Sequence, residues 1–273
     1  MYTSTIQSMK KEMNRRRLSQ RTIDSYLFCI YKFLKKINKH PRKITKKEIK
    51  NYMDDLSERG KAGSTLNIHL SAIKFLIEET FHRNLFINLK YSRRPKHLPT
   101  VLTKEETKRL FDAVHNPKHK LMIELMYSAG LRLSELLNLK VKDIEDKLGW
   151  VRKGKGNKDR PFIIADKLRQ RIIDFIDSEK LNHSDLIFTG RNGRVHPRTV
   201  QEIIKQAAKK ARIRKNVHPH TLRHSFATHL IEDGYDVADV QALLGHNSMQ
   251  TTMIYVHLAG AKLLSVKSPF DNL

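Results

Sequence analysis

Between His218 and His257 the chain reads HPHTLRHSFATHLIEDGYDVADVQALLGHNSMQTTMIYVH, which sets His220, Arg223, His246 and Tyr255 in order within 40 residues. An arginine is a permanent, forked donor suited to a phosphate or carboxylate. Histidines can move protons near neutral pH, and a tyrosine hydroxyl, with a pKa of about 10, attacks only with help. These residue types, set in this order, read together as an active site.

The elements that must hold these residues follow from the same stretch. Pro219 can open a helix and Gly234 can close it, which predicts a helix over residues 219–233. Leu222, Phe226, Leu230 and Ile231 give that helix a buried stripe, and His220 and Arg223, three apart, share a neighbouring face. Val237, Val240, Leu243 and Leu244 predict a second short helix ended by Gly245, so that His246 stands just beyond a helix end. Asn247 or Ser248 can cap a third helix carrying Met253, Ile254 and Tyr255.

Upstream, an apolar helix with Leu121, Ile123, Leu125 and Met126 leads to a turn at Gly130 and to a resumed helix over residues 133–137, with Arg132 at the junction. Arg132 can pair with Glu135 three residues on, or be oriented by it toward a substrate. The stretch WVRKGKGNKDRPFIIA reads as a hairpin with arms 150–152 and 161–164 and Lys155 at or near its tip. Alone, Lys153, Lys155 and Lys158 would be solubilising turn lysines. An apolar strand is expected at 186–188, followed by the turn TGRNGR, in which Arg191 and Arg194 could meet phosphates.

Composition narrows the partner. The 273 residues carry 53 Lys+Arg against 28 Asp+Glu, a formal charge of +25, with a pI near 10.1. Such an excess favours nucleic acid, because neutralising phosphates releases counterions; a generically basic protein with solvated lysines is the plain alternative. Residues 1–98 hold 23 of the basic and 8 of the acidic residues, so the smaller part carries more of the charge. Cys29, the single cysteine, sits between Phe28 and Ile30 and reads as a buried inert thiol. There is no apolar leader and no run of about 18 apolar residues, so the expectation is a cytoplasmic protein with no membrane partner.

The length predicts two domains. Residues 1–89 read as helices, through Ile23, Leu27, Ile30, Tyr31 and Leu34, then Ile49, Tyr52, Met53 and Leu56, then 66–77. Ser19 and a Thr45–Glu48 capping box stand at helix starts. Residues 90–100, KYSRRPKHLPT, read as a basic linker, and residues 101–273 form the second domain, opened by a Thr103–Glu106 capping box. The fold expected is mainly α with a small β-hairpin or sheet, an α+β architecture of two domains.

Taken as a set, GLRLSEL with Arg132, GKGNKDR with Lys155, HTLRHSFATHL with His220 and Arg223, LLGH with His246 and TTMIYVH with Tyr255 resemble the tyrosine recombinases of the lambda integrase-like superfamily. The closer resemblance is to the Xer group of chromosome-dimer resolvases, its archaeal type included. Asp159 departs from the glutamate common in relatives. The resemblance implies that Tyr255 attacks to give a 3′-phosphotyrosyl link, that Arg132 and Arg223 hold the phosphate, that His220 assists proton transfer, that Lys155 protonates the leaving oxygen and that His246 hydrogen-bonds the phosphate. It implies no cofactor and no metal. It also implies a helical core-binding domain in residues 1–89, a double-stranded DNA target with two half-sites, a dimer per site and a tetramer in synapsis.

Other readings are weighed against these. His218, His220, His224 and His229 could be taken for a zinc site, but no Cys partner and no HExxH glutamate accompany them. A catalytically silent architectural DNA-binding protein would keep the fold without the reaction, whereas candidates stand at all six catalytic positions. A relaxing topoisomerase or a mobile-element or phage integrase would share the chemistry. The start of the chain close to the core-binding helices leaves no room for an arm-binding domain, which favours the Xer role.

Overall fold

The computed structural model describes residues 2–83, 89–92, 98–152, 159–190, 193–245 and 252–253. The chain divides into two compact units, Met1–Lys96 and His97–Leu273.

Unit 1 is helical: α1 (Thr3–Arg15), α2 (Gln20–Ile37), α3 (Lys46–Glu58) and α4 (Gly63–Lys74), with α4 running on as a π-helical segment Phe75–Thr80. Helix starts follow the capping residues. Ser19 Oγ accepts the Thr22 N–H at 3.2 Å, and Thr45 and Glu48 bond each other's backbone N–H groups in a reciprocal box. The core draws on Ile23, Ile30, Phe33 and Leu34 of α2, Ile49 and Tyr52 of α3, and Ile73, Leu76 and Ile77 beyond. α1 was not foreseen from the sequence; it contributes Met9 and Met13, both fully buried. Cys29 is buried, and burial pushes its thiol up to about 11, so it is inert. The start of the expected linker is fastened to this unit, because Asn67 clasps both backbone groups of Ser92, at 2.7 and 3.0 Å.

Unit 2 contains α5 (Lys104–Asp112), α6 (Pro117–Ser128), α7 (Leu133–Asn138), β1 (Leu148–Val151), β2 (Arg160–Ile163), α8 (Asp166–Ser178), β3 (Thr189–Gly190), β4 (Gly193–Arg194), α9 (Pro197–Lys210), α10 (Pro219–Glu232) and α11 (Val237–Leu244). α6 is its axis. Leu121, Met122, Ile123, Leu125 and Met126 are all at most 2% exposed, each contributing roughly 1.5–3 kcal/mol of burial, and α10, α8, α7 and α9 pack around them. The one carboxylate in that run, Glu124, meets Arg171 at 2.7 Å. β1 and β2 pair antiparallel with Leu148 opposite Ile163 and Val151 opposite Arg160.

The strand expected at 186–188 is not there. Leu186 makes only an isolated bridge to Lys140. The backbone bonds Val141 N–Asp185 O and Ile187 N–Leu139 O tie that stretch to the loop after α7, and Ile187 and Phe188 are apolar because they are core residues. β3 and β4 instead form a two-residue pair around the TGRNGR turn.

Candidate active site

α6 ends in a Schellman turn: Leu131 N–H reaches Met126 O at 3.1 Å, Gly130 N–H reaches Tyr127 O at 3.2 Å, and Gly130 takes φ +57°. A Cβ on Gly130 would lie 2.6 Å from the Phe226 ring and 2.9 Å from Leu244, so this turn is pressed against both α10 and α11. Arg132 therefore emerges beside both helices, at the N-cap of α7.

The carboxylate of Glu135 is the meeting point. It accepts the Arg132 backbone N–H at 2.9 Å, Arg132 Nη1 at 2.5 Å and Arg160 Nη2 at 2.7 Å, and Arg223 Nη1 lies 3.9 Å away. Burial works to raise its pKa. The charge of Arg160, with the N–H and charge of Arg132, more than offsets this, so Glu135 stays ionised below the usual carboxylate range.

The same three arginines meet the C-terminal end of α11. Arg160 Nη1 donates to Leu243 O, Arg223 Nη2 to Leu244 O at 2.5 Å, and Arg132 Nη2 approaches Gly245 O at 3.5 Å. Arg223 Nη1 also donates to Gly130 O. Three successive carbonyls at a helix end, where orphan acceptors and the negative end of the dipole coincide, thus face three guanidiniums.

α10 carries His220 and Arg223 as expected, but on different levels: Arg223 is 3% exposed and His220 is at the surface. The His220 ring stacks on His224, with centroids 6.1 Å apart, and meets His218 edge-on at 6.3 Å. Partial burial of the ring, then the charges of His218, Arg223 and Arg132, lower the His220 pKa, which favours the neutral imidazole that can accept a proton. Burial drives His224 down to about 4. His229 is committed elsewhere: its Nδ1 meets Tyr127 Oη at 2.7 Å and its Nε2 donates to Leu102 O at 2.9 Å, while Ser225 Oγ accepts the Leu102 N–H. Among the described residues no group of three or more His, Cys, Asp or Glu side chains is arranged to hold a metal ion, and no described helix is long and apolar enough to cross a membrane.

Of the six sequence-predicted site residues, Arg132, His220 and Arg223 are brought together. Lys155, His246 and Tyr255 lie outside the described residues, as does the cap expected at Asn247 or Ser248. The segments that lead to two of them are in view: β1 and β2 flank residues 153–158, and α11 ends at Gly245 with φ +61°, directly before His246. Sequence reasoning missed Arg160. Strand alternation held the signal, since Arg160 shares the inward face of β2 with the buried Phe162, and an inward arginine needs a partner.

The profile of the Phage integrase family matches residues 100–262, and that of the phage integrase N-terminal SAM-like domain matches residues 6–86. This chain belongs to the phage integrase family. Tyrosine recombinase XerD of Oceanobacillus iheyensis is 34% identical, the alignment covering 91% of each chain. The crystal structure of XerA recombinase is 31% identical over 97% of both chains with a TM-score of 0.57. The pre-cleavage complex of XerH with its difH substrate, at 23% identity, shares the fold with a TM-score of 0.73 over 98% of this chain and 86% of that one. The recombinase is accordingly an Xer-type tyrosine recombinase, an enzyme of site-specific DNA recombination.

Proposed function

We propose that the recombinase resolves chromosome dimers at a short DNA target of two half-sites, with Arg132, Lys155, His220, Arg223, His246 and Tyr255 as its catalytic set. The observation that carries this reading is the convergence of the Arg132 and Arg223 guanidiniums on Glu135, with His220 on the helix that bears Arg223. Arg132 has five N–H donors, and its side-chain contacts among the described residues engage two of them.

In this mechanism Tyr255 Oη attacks the scissile phosphorus and its proton passes toward His220. The P–O5′ bond breaks, Lys155 gives a proton to the leaving O5′, and the DNA 3′ end remains as a phosphotyrosyl ester. Arg132 and Arg223, with His246, hold the non-bridging oxygens as charge builds on them. Because one phosphoester replaces another, the 5′-hydroxyl of a second strand can reverse the step without ATP, cofactor or metal.

Residues 1–89 serve as the core-binding domain, 90–100 as a basic linker and 101–273 as the catalytic domain, with a dimer on each site and a tetramer in synapsis. The charge of +25 supports DNA as the partner, as does the DNA-bound state of the similar XerH. Incubation with suicide duplexes tests the reading. The wild type should give a denaturation-resistant protein–DNA adduct, and Tyr255→Phe should give none while binding DNA nearly as well. An adduct from the Phe variant would remove Tyr255 as the nucleophile, and no adduct from the wild type on a selected target would leave an architectural protein.

A further inference from the structure

We infer that Arg160 is a positioning residue for the cleavage step, fixing where the β1–β2 hairpin leaves the body of unit 2 and hence where that hairpin delivers Lys155. This rests on the reading of Lys155 as the general acid. Arg160 is 8% exposed, and no contact with the scissile phosphate is assigned to it. It joins three segments instead: its own strand β2, Glu135 of α7 through Nη2 at 2.7 Å, and Leu243 O of α11 through Nη1. Gly245 closes over it, since a Cβ there would lie 2.6 Å from Arg160 Cδ.

A buried ion pair is a poor means of gaining stability, because desolvation consumes most of the attraction and an apolar side chain of similar volume would pack as well. An apolar side chain could not make directional bonds to two other segments at once. The other strand is fixed at the same level, where Arg152 pairs with Asp159 at 3.1 Å, lies 3.8 Å from Asp143 and sits over the Trp150 ring. Residues 153–158 begin and end at these two anchored strands. A shift of about 1 Å in a reacting group can cost on the order of 100-fold in rate, so loosening the root of the hairpin should appear as a defect in leaving-group protonation.

The test uses full-length Arg160→Ala and Arg160→Met, the latter retaining volume, beside wild type and Lys155→Ala. The probes are nicked duplexes bearing the arm sequence that the recombinase selects from a randomised pool, with either oxygen or sulfur at the scissile 5′ position. A thiolate leaves without a proton, so sulfur bypasses a missing acid. Both Arg160 variants should bind within about 3-fold of wild type, cleave the oxygen strand roughly 100-fold more slowly, and recover to within about 10-fold on sulfur. If Lys155→Ala recovers on sulfur and the Arg160 variants do not, the inference is wrong and the acid assignment stands; the loss then acts through Glu135 and Arg132. If Lys155→Ala itself does not recover, the acid assignment fails and takes the inference with it. An Arg160→Met protein that cleaves the oxygen strand like wild type also overturns it.

Discussion

Glu135→Gln changes almost no volume and tests the centre of the site. The carboxylate accepts from Arg132 twice and from Arg160 once, with Arg223 Nη1 at 3.9 Å. A glutamine keeps one acceptor oxygen and turns a donor toward a guanidinium that needs an acceptor. Each charge-assisted bond lost is worth about 1.5–3 kcal/mol, and leaving a buried cation without its partner costs about 3–5 kcal/mol. The expected destabilisation of unit 2 is therefore about 3–5 kcal/mol. Trp150, the only tryptophan in the sequence, lies in β1, so urea unfolding followed by its fluorescence reports on unit 2. Adding Arg160→Met to Glu135→Gln removes a buried cation that has lost its carboxylate partner and should return at least ~1 kcal/mol, without restoring adduct formation. A loss below ~1 kcal/mol for Glu135→Gln, or a double variant less stable than the single one, would refute the idea that this carboxylate holds the arginine layer in place.

Acid should weaken unit 2 before its carboxylates protonate. Burial lowers the pKa of His119, His224 and His229 below 6.5, His224 to about 4, so between pH 6.5 and 4.5 the unfolded chain binds protons that the folded one resists. Stability present above 6.5 is then lost as pH falls, His224 alone accounting for at most about 3 kcal/mol; a Trp150 urea midpoint constant from pH 7 to 5 would contradict this. Gly130→Ala must take φ +57° with its Cβ 2.6 Å from the Phe226 ring, and should cost about 2–4 kcal/mol by the same measurement; a midpoint unchanged within error would show that the α6–α7 turn yields easily. Residues 262–273 carry Leu263, Leu264, Val266 and Phe270, an apolar set that the proposed assembly on DNA could use as a docking segment. Its deletion should spare half-site binding but weaken cooperative filling of the second half-site in band-shift titrations, and equal cooperativity would assign the tail to its own protomer.

Local signals were the legible ones. Ser19, Thr45 with Glu48, and Thr103 with Glu106 mark helix starts because a cap involves residues three apart. α1 was missed because its buried side chains, Met9 and Met13, are sparse among lysines and arginines. The apolar run at 186–188 resembled a strand because core burial and strand burial leave the same composition. Arg132, His220 and Arg223 were found by type and spacing, and so was the pairing of Arg132 with Glu135 three residues on, yet the long-range contacts that hold them were not. Arg160 and Glu135 are 25 residues apart, and Arg223 and Gly130 are 93 apart. Nothing local marks such pairs, beyond the rule that a buried charge must have a partner.

The position of the glycines gives the motifs a physical reason. Two segments, α6 and α11, each end in a glycine of positive φ, Gly130 and Gly245, and the residue at each glycine is pressed by a neighbour: Phe226 and Leu244 at the first, Arg160 at the second. A left-handed glycine turns the chain off the helix at once, so the residue proposed to act follows in sequence within one or two positions, Arg132 after Gly130 and His246 after Gly245. The helix ends that these turns expose are not left to water. Leu243, Leu244 and Gly245 offer their carbonyls to Arg160, Arg223 and Arg132, and Glu135 sits among the same three side chains. One carboxylate and one helix terminus therefore offset three clustered cations while leaving a net positive site. That balance lets the three arginines be packed together without a ligand, which is the placement in advance that the proposed phosphate site requires.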